Sequence, residues 1–334
     1  MSNTLTSVIL NDTSTRYHHG CARVVRLLRA GLKAQGITII ATSPARHEWE
    51  KDAAFLDAVK QADVIVINGE GTLHHGKPAG EALLRIATHP ARGSTPVALI
   101  NALYQDNPSE WAQYLKACDL ISARDSESAA ALTRASEKPV RWLPDLSLTA
   151  PADTPDLPRH GIIIGDSVKL AARKVLARAA GRLPHVRFIP TKTLRAKIWQ
   201  SRLARSVLYR VYNGFFPVRI PPFLMPHDET GYLRELASAE LHITGRFHAV
   251  CLSMLVEAPF LALSSNASKI ERLLKDAGMD SSRIIDPQAL QNPPASAPFT
   301  ADEIKAIRAF RQLAIAQADV LFADIAKLAK AGRA

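Results

Sequence analysis

No apolar run in this 334-residue chain approaches the ~20 residues needed to span a bilayer. The opening Met1-Ser2-Asn3-Thr4 lacks the basic and apolar regions of a secretion signal. Cysteine is scarce: Cys21, Cys118 and Cys251 stand far apart and are odd in number. That excludes a disulfide framework and a CxxC metal motif, and a reducing cytoplasm is the expected compartment. HExxH spacing is also missing, and adjacent histidines in extended chain point opposite ways. Neither a metal nor a cofactor is therefore expected. Acid is absent from one long stretch: Ser167 to His227 holds thirteen Lys or Arg and no Asp or Glu. The net charge of +11 is concentrated in that block, and the rest of the chain is close to neutral.

What is present is an alternation. Apolar runs at Thr6 to Leu10, Ile37 to Ile40, Asp63 to Asn68 and Pro96 to Asn101 read as strands, followed by shorter ones at Leu120 to Ala123 and Val140 to Leu143. Helical spacing lies between them, as in Val24, Val25, Leu27, Leu28 and Leu32, and in Asp52 to Lys60. Three prolines between Pro151 and Pro158 mark an interdomain linker. The alternation resumes with Gly161 to Gly165, Arg187 to Pro190, Leu241 to Ile243 and Pro259 to Leu263. Ala301 to Lys330 reads as a long helix. Strands alternating with helices predict parallel sheets covered on both faces. The expected organisation is an α/β domain over 1–150, a second over 151–300 and a terminal helix over 301–334, with the two sheets facing across a cleft. Ligands of such sheets sit beyond the carboxyl ends of the strands. The loops after Leu10, Ile67, Ile100, Ile164, Ile243 and Leu263 are therefore the places to look.

The richest of these is Gly245-Arg246-Phe247-His248-Ala249. A strand that ends in Gly and turns into a helix presents free N–H groups at a positive dipole end. Arg246 adds a fork of donors suited to carboxylate or phosphate, and His248 adds a proton carrier. An anionic donor that must be held and protonated fits this set. The plainer reading is an Arg paired with a nearby acid and a His satisfied in a crevice.

Other loops carry weaker signals. Asn68-Gly69-Glu70-Gly71, running on to His74, lets backbone approach a ligand closely, yet it is neither a P-loop nor GxGxxG. Asn11, Asp12, His18 and His19 occupy the loop after the first strand and suit hydroxyl contacts or solvation. Arg124-Asp125-Ser126 opens a helix, with Asp125 or Ser126 as N-cap and Arg124 able to reach into the cleft. Ser264-Ser265-Asn266, with Lys269 beyond, forms either an anion seat or a capped amphipathic helix.

Together these blocks resemble the polysaccharide pyruvyl transferase family. The resemblance rests on Gly245 to Ala249, the Asn68 to Gly71 loop, Arg124 to Ser128, Pro144-Asp145, and Ala262-Leu263-Ser264 with Lys269-Ile270, in family order. It implies two Rossmann-like domains of the glycosyltransferase B kind. It further implies transfer of the enolpyruvyl group of phosphoenolpyruvate onto a sugar of a cell-envelope polysaccharide or its lipid-linked precursor. By that resemblance His248 is the acid/base residue. Arg246, Gly245, Lys269, Ser264, Ser265 and Asn266 take the donor. Asn11, Asp12, His18, His19, Asn68, Glu70, His74 and Arg124 take the saccharide acceptor. The chain departs from the pattern at two points. Asn11-Asp12-Thr13 stands where the family has Asn-x-Gly-Asp, and Ser265 to Ser268 stand where it has an aromatic and an acidic residue. A glycosyltransferase of the same fold, using a nucleotide-activated sugar, is the alternative.

The basic block includes a segment, 193–216, whose apolar spacing is helical, with Arg and Lys between and aromatics clustered towards its end. Such a segment suits an anionic membrane surface, and the expected location is the cytoplasm, peripheral at the inner face of the plasma membrane. A solvated cationic face on a core helix is the plainer alternative. No nucleic-acid-binding motif accompanies the charge, so no nucleic-acid partner is expected.

Overall fold

Short runs of Val, Ile and Leu buried on both sides form parallel strands, because only a sheet covered on both faces can use them. The computed structural model describes residues 4–333 except 156, 194–197, 199, 200, 218, 265–267, 293 and 295. Two compact units emerge. The first comprises Met1–Arg16, Val24–Thr149 and Arg311–Ala334, and the second Tyr17–Arg23 and Ala150–Phe310.

In the first unit the strands are β1 (Leu5–Asp12), β2 (Ile37–Pro44), β3 (Val64–Asn68), β5 (Val97–Ala102), β7 (Leu120–Ala123) and β8 (Arg141–Trp142). They form one sheet in the order β2-β1-β3-β5-β7-β8. Every pairing is parallel. A two-stranded pair, β4 (Leu73–His74) and β6 (Tyr104–Gln105), stands apart from it. Side chains alternate between the faces as strand geometry requires. Val8, Leu10, Ile65, Ile67, Val97 and Leu99 join one core with Phe55, Val59 and Trp111. Ile9, Val64, Val66, Ala98 and Ile100 join the other with Val24, Leu28, Leu32, Leu321, Phe322 and Ile325. The covering helices include parts of α1 (His19–Ala34) and α11 (Ala301–Arg333), with α2 (Ala53–Gln61), α3 (Pro78–Leu84), α4 (Ala112–Ala117) and α5 (Ser126–Ser136). Asp125 caps α5 by accepting from Ser128 N–H at 2.7 Å, as its sequence position suggests.

The second unit has a five-stranded parallel sheet, β10-β9-β11-β12-β13. Its strands are β9 (Ile162–Ser167), β10 (Val186–Phe188), β11 (Leu241–Gly245), β12 (Phe260–Leu263) and β13 (Ile284–Ile285). The helices are α6 (Leu170–Arg182), α7 (Arg202–Asn213), α8 (Glu229–Ala237), α9 (Phe247–Leu255) and α10 (Lys269–Asp276). Ile162, Ile164, Leu241, Ile243, Leu261 and Leu263 pack with Leu176, Ala177, Ala180 and Tyr209. The basic segment read as helical over 193–216 is helical over Arg202–Asn213; 194–197, 199 and 200 fall outside the described residues. Gly214 ends α7 at φ 56°, a left-handed C-cap that glycine adopts at least cost. Among the described residues, no helix is long and apolar enough to cross a membrane.

Two helical glycines give opposite predictions. A Cβ at Gly31 would lie 2.3 Å from the Phe322 ring, so Gly31→Ala overpacks the first unit. It should cost about 1–3 kcal/mol. At Gly181 a Cβ meets nothing within 4 Å. Gly181→Ala should stabilise by about 0.5–1 kcal/mol. Thermal melts of the two variants should therefore move in opposite directions.

Candidate functional site

Strands β9 and β11 run side by side and end together, with Gly245 opposite Ser167. The contact is close: a Cβ on Gly245 would lie 2.7 Å from the Ser167 side chain. One residue earlier on β9 is Asp166, fully buried. Its carboxylate accepts from Arg246 Nε at 2.9 Å and Nη2 at 2.6 Å, and from the Tyr212 hydroxyl. Thr191 donates to it from its N–H at 3.0 Å and its hydroxyl at 3.2 Å. Burial alone would push this carboxyl up, but the Arg246 charge and these donors hold it below its ordinary range. Burial would in turn lower Arg246; Asp166 reverses that and raises it. The plainer reading of Arg246, a pairing with a nearby acid, is therefore correct as far as it goes. Its Nη1 makes no hydrogen bond among the described residues.

Arg246 occupies the N-cap position of α9 without capping it by its side chain, so the helix start keeps its positive end. His248 follows in the first turn, 7% exposed. The segment that meets it is distant in sequence. Residues 17–19 lie antiparallel to 191–193, with His19 N–H on Thr191 O at 3.0 Å and Thr193 N–H on Tyr17 O at 2.9 Å. This pairing sets the His18 ring edge-on to His248, with centroids 5.5 Å apart. Gly20 packs directly on His248: a Cβ there would be 2.2 Å from the His248 Cβ. Cys21 N–H donates to His18 Nδ1 at 3.4 Å at the start of α1. Burial pushes His18 well below its ordinary range, and the charges of His248, Arg246 and Lys192 push the same way. A buried base surrounded by cations marks a place for an anion.

His19 turns elsewhere. Its ring stacks on Tyr232 at 4.5 Å, and neither ring nitrogen has a hydrogen-bond partner among the described residues. Burial lowers it to about 4, against the opposing pull of Asp228, Glu229 and Asp166.

One ligand atom each from His18, Cys21 and His248 lies within 4.8 Å of the others, a set whose types could hold a soft metal. The neighbouring Lys192 and Arg246 make that position better suited to an anion than to a cation.

The remaining predicted residues fall into separate groups. Asn11, Asn68, Glu70 and Thr72 meet at the ends of β1 and β3. Asn11 Nδ2 donates to Asn68 O at 2.6 Å and Thr72 Oγ1 at 3.2 Å, and Asn68 Nδ2 to Glu70 Oε2 at 3.4 Å. Asn11 and Glu70 hold left-handed backbone there, at φ 65° and 39°. Asp12 pairs with Arg29 and caps Ser14. His74 contacts Lys77 Nζ at 3.1 Å. Arg124 is buried against Asp145 at 3.2 Å. Ser264 is exposed and bonds Glu271, Lys269 begins α10, and Ser265 and Asn266 lie outside the described residues. Sequence reading passed over Asp166, Thr191, Lys192 and Tyr212. The loop after Ile164 was marked, and the acid at its strand end was the available signal.

Residues 6–266 match the family model described as polysaccharide pyruvyl transferase. No curated protein matches the chain. Among solved structures, a UDP-GlcNAc 2-epimerase from Neisseria meningitidis bound to UDP-GlcNAc is 9% identical at a TM-score of 0.54, covering 96% of this chain and 99% of that one. A UDP-N-acetylglucosamine 2-epimerase is 12% identical at 0.55, covering 97% and 95%. The trehalose-6-phosphate synthase OtsA is 10% identical at 0.56, covering 98% and 97%. At such identity the likeness shows the fold alone, the glycosyltransferase B-like arrangement of α/β units with parallel sheets.

Buried histidines, His242 and His19 among them, contribute to the acid sensitivity of the second unit. Burial lowers His242 to about 3 and His19 to about 4. The unfolded chain binds these protons below its ordinary histidine value of about 6.5, where the folded chain does not. The stability they contribute is present above about pH 6.5 and is lost as pH falls towards 4, by up to about 1.4 kcal/mol per pH unit for each. Urea midpoints should decline through that window, less steeply in His242→Gln. A flat profile in both proteins would contradict the assignment.

Proposed function

The chain belongs to the polysaccharide pyruvyl transferase family, and on that premise we propose that it transfers the enolpyruvyl group of phosphoenolpyruvate to a saccharide acceptor. The acceptor is a sugar of a cell-envelope polysaccharide or its lipid-linked precursor, and the setting is exopolysaccharide synthesis. The observation that carries the reading is the convergence of His18, Lys192, Arg246 and His248 at the start of α9.

Phosphoenolpyruvate brings a carboxylate and a phosphate. The helix start, Lys192 and the remaining Nη1 edge of Arg246 can hold both, while Asp166 and Tyr212 fix the guanidinium plane. His248 delivers a proton to the methylene carbon, leaving an oxocarbenium-like centre at the neighbouring carbon. A sugar hydroxyl attacks that carbon, its proton returns to the imidazole, and the C–O bond to phosphate breaks. A second hydroxyl of the same sugar closes the ketal, and its proton leaves with the departing phosphate. Within the first unit, Asn11, Asn68 and Glu70 carry amide and carboxylate groups of the kind that bind sugar hydroxyls. The alternative is transfer from a nucleotide sugar, favoured by the UDP-GlcNAc named for the meningococcal neighbour.

The test is phosphate release from phosphoenolpyruvate over a panel of soluble and lipid-linked glycans, with UDP-, GDP- and CMP-sugars run beside it. Acceptor-dependent release should fall about 10²–10⁴-fold in His248→Ala. Gly20→Ala should lower kcat by displacing His248. Asp166→Asn should act chiefly on the KM for phosphoenolpyruvate, by loosening Arg246. Turnover of a nucleotide sugar with phosphoenolpyruvate untouched would replace this reading with the alternative.

A further inference from the structure

Helix α7 has two faces of different character. Tyr209 and Asn213 are buried, and the Tyr209 ring packs edge-on against Phe188 and Phe223. Leu203, Val207 and Val211, four residues apart, are instead 81%, 61% and 66% exposed. That spacing makes a continuous ridge along the helix. The ridge continues beyond α7. A Cβ on Gly214 would lie 3.1 Å from Leu170 Cδ1, so the first turn of α6 meets the end of α7. Leu170, Val168 and Phe216 are exposed there as well. Single exposed apolar residues are ordinary, but an aliphatic ridge of this length is a contact surface.

Charge narrows the occupant. The ridge lies within the 61 residues from Ser167 to His227, which carry thirteen basic side chains and no acidic one. Protein interfaces are depleted of charge at their cores. Single-stranded nucleic acid is held largely by bases stacked on flat rings, whereas Leu203, Val207 and Val211 are aliphatic. An anionic bilayer surface accepts both features at once: aliphatic side chains enter the headgroup boundary while arginines meet lipid phosphates. We propose that α7, with the adjoining first turn of α6, docks the protein on an anionic phospholipid surface. Tyr212 ties the same helix to Asp166 and Arg246, so docking holds the anion seat at the lipid face. The docking does not depend on the pyruvyl-transfer reading, because it is measured without substrate.

The full chain is sedimented with phosphatidylcholine vesicles, with and without phosphatidylglycerol, at low and high salt. A Leu203→Ser/Val207→Ser double variant and Arg202→Gln are compared with it. These side chains are exposed, so far-UV circular dichroism should not change. Binding should require the anionic lipid and weaken with salt. The double variant should partition roughly a hundredfold less, the worth of burying two aliphatic side chains. Arg202→Gln should weaken binding less and reduce its salt dependence. Three results would overturn the proposal: no binding to anionic vesicles, equal binding by the double variant, or retention on duplex DNA or RNA in place of vesicles. Self-association abolished by the double variant, without vesicle binding, would assign the ridge to a second copy of the chain instead.

Discussion

The candidate site depends on one buried carboxylate. Asp166 is taken wholly out of water, which is costly for an ion unless every lone pair is met. Arg246, Tyr212 and Thr191 meet them. These partners come from the start of α9, the end of α7 and the segment after β10, so one charge binds three separately folded pieces of the second unit. The arrangement also decides what Arg246 can do. With Nε and Nη2 held by Asp166, its charge is largely balanced and its plane is fixed. It orients an anion more than it attracts one. Lys192 and the dipole of α9 add positive potential beside it.

The alternation of strands and helices was legible in the sequence because parallel strands are buried on both faces. Val64 to Ile67 reads as an unbroken apolar run for that reason, and no tertiary knowledge was needed to place it. The Gly245 to His248 block was legible because a strand end, an uncapped helix start, an Arg and a His fall within four residues. Asp166 was not. A single acid after an isoleucine run has no periodicity, and its partner Arg246 is eighty residues away. The grouping of Tyr17–Arg23 with the second unit was equally hidden, since chain order places these residues after the first strand. The argument that adjacent histidines point apart was sound geometry. His18 turns to His248 and His19 to Tyr232, yet sequence gives no means of naming either partner.

The departure at Asn11-Asp12-Thr13 has a local explanation. Where the family has Asn-x-Gly-Asp, Asp12 caps Ser14 and pairs with Arg29, so the carboxylate serves the loop's own backbone. Arg124 and Asp145, among the residues that carry the resemblance, pair with each other at the edge of the first unit's sheet. Asn11, Asn68 and Glu70 keep the backbone strain and amide chemistry at the strand ends of that unit. Left-handed backbone at non-glycine residues costs about 1–3 kcal/mol each and persists where surroundings impose it. The hydrogen bonds among these three residues are what impose it here.

The cations exceed what the donor requires. Phosphoenolpyruvate carries one carboxylate and one phosphate, and Lys192, Arg246 and a helix start are enough for both. Twelve further lysines and arginines lie between Ser167 and His227. Arg187 pairs with Glu235, but that block has no acid of its own to balance the rest. A concentration of positive charge raises self-repulsion and attracts external anions. On the docking proposal, the aliphatic ridge on α7 matches a surface with an apolar layer beneath its charge. A soluble polyanion would give Leu203, Val207 and Val211 nothing to enter.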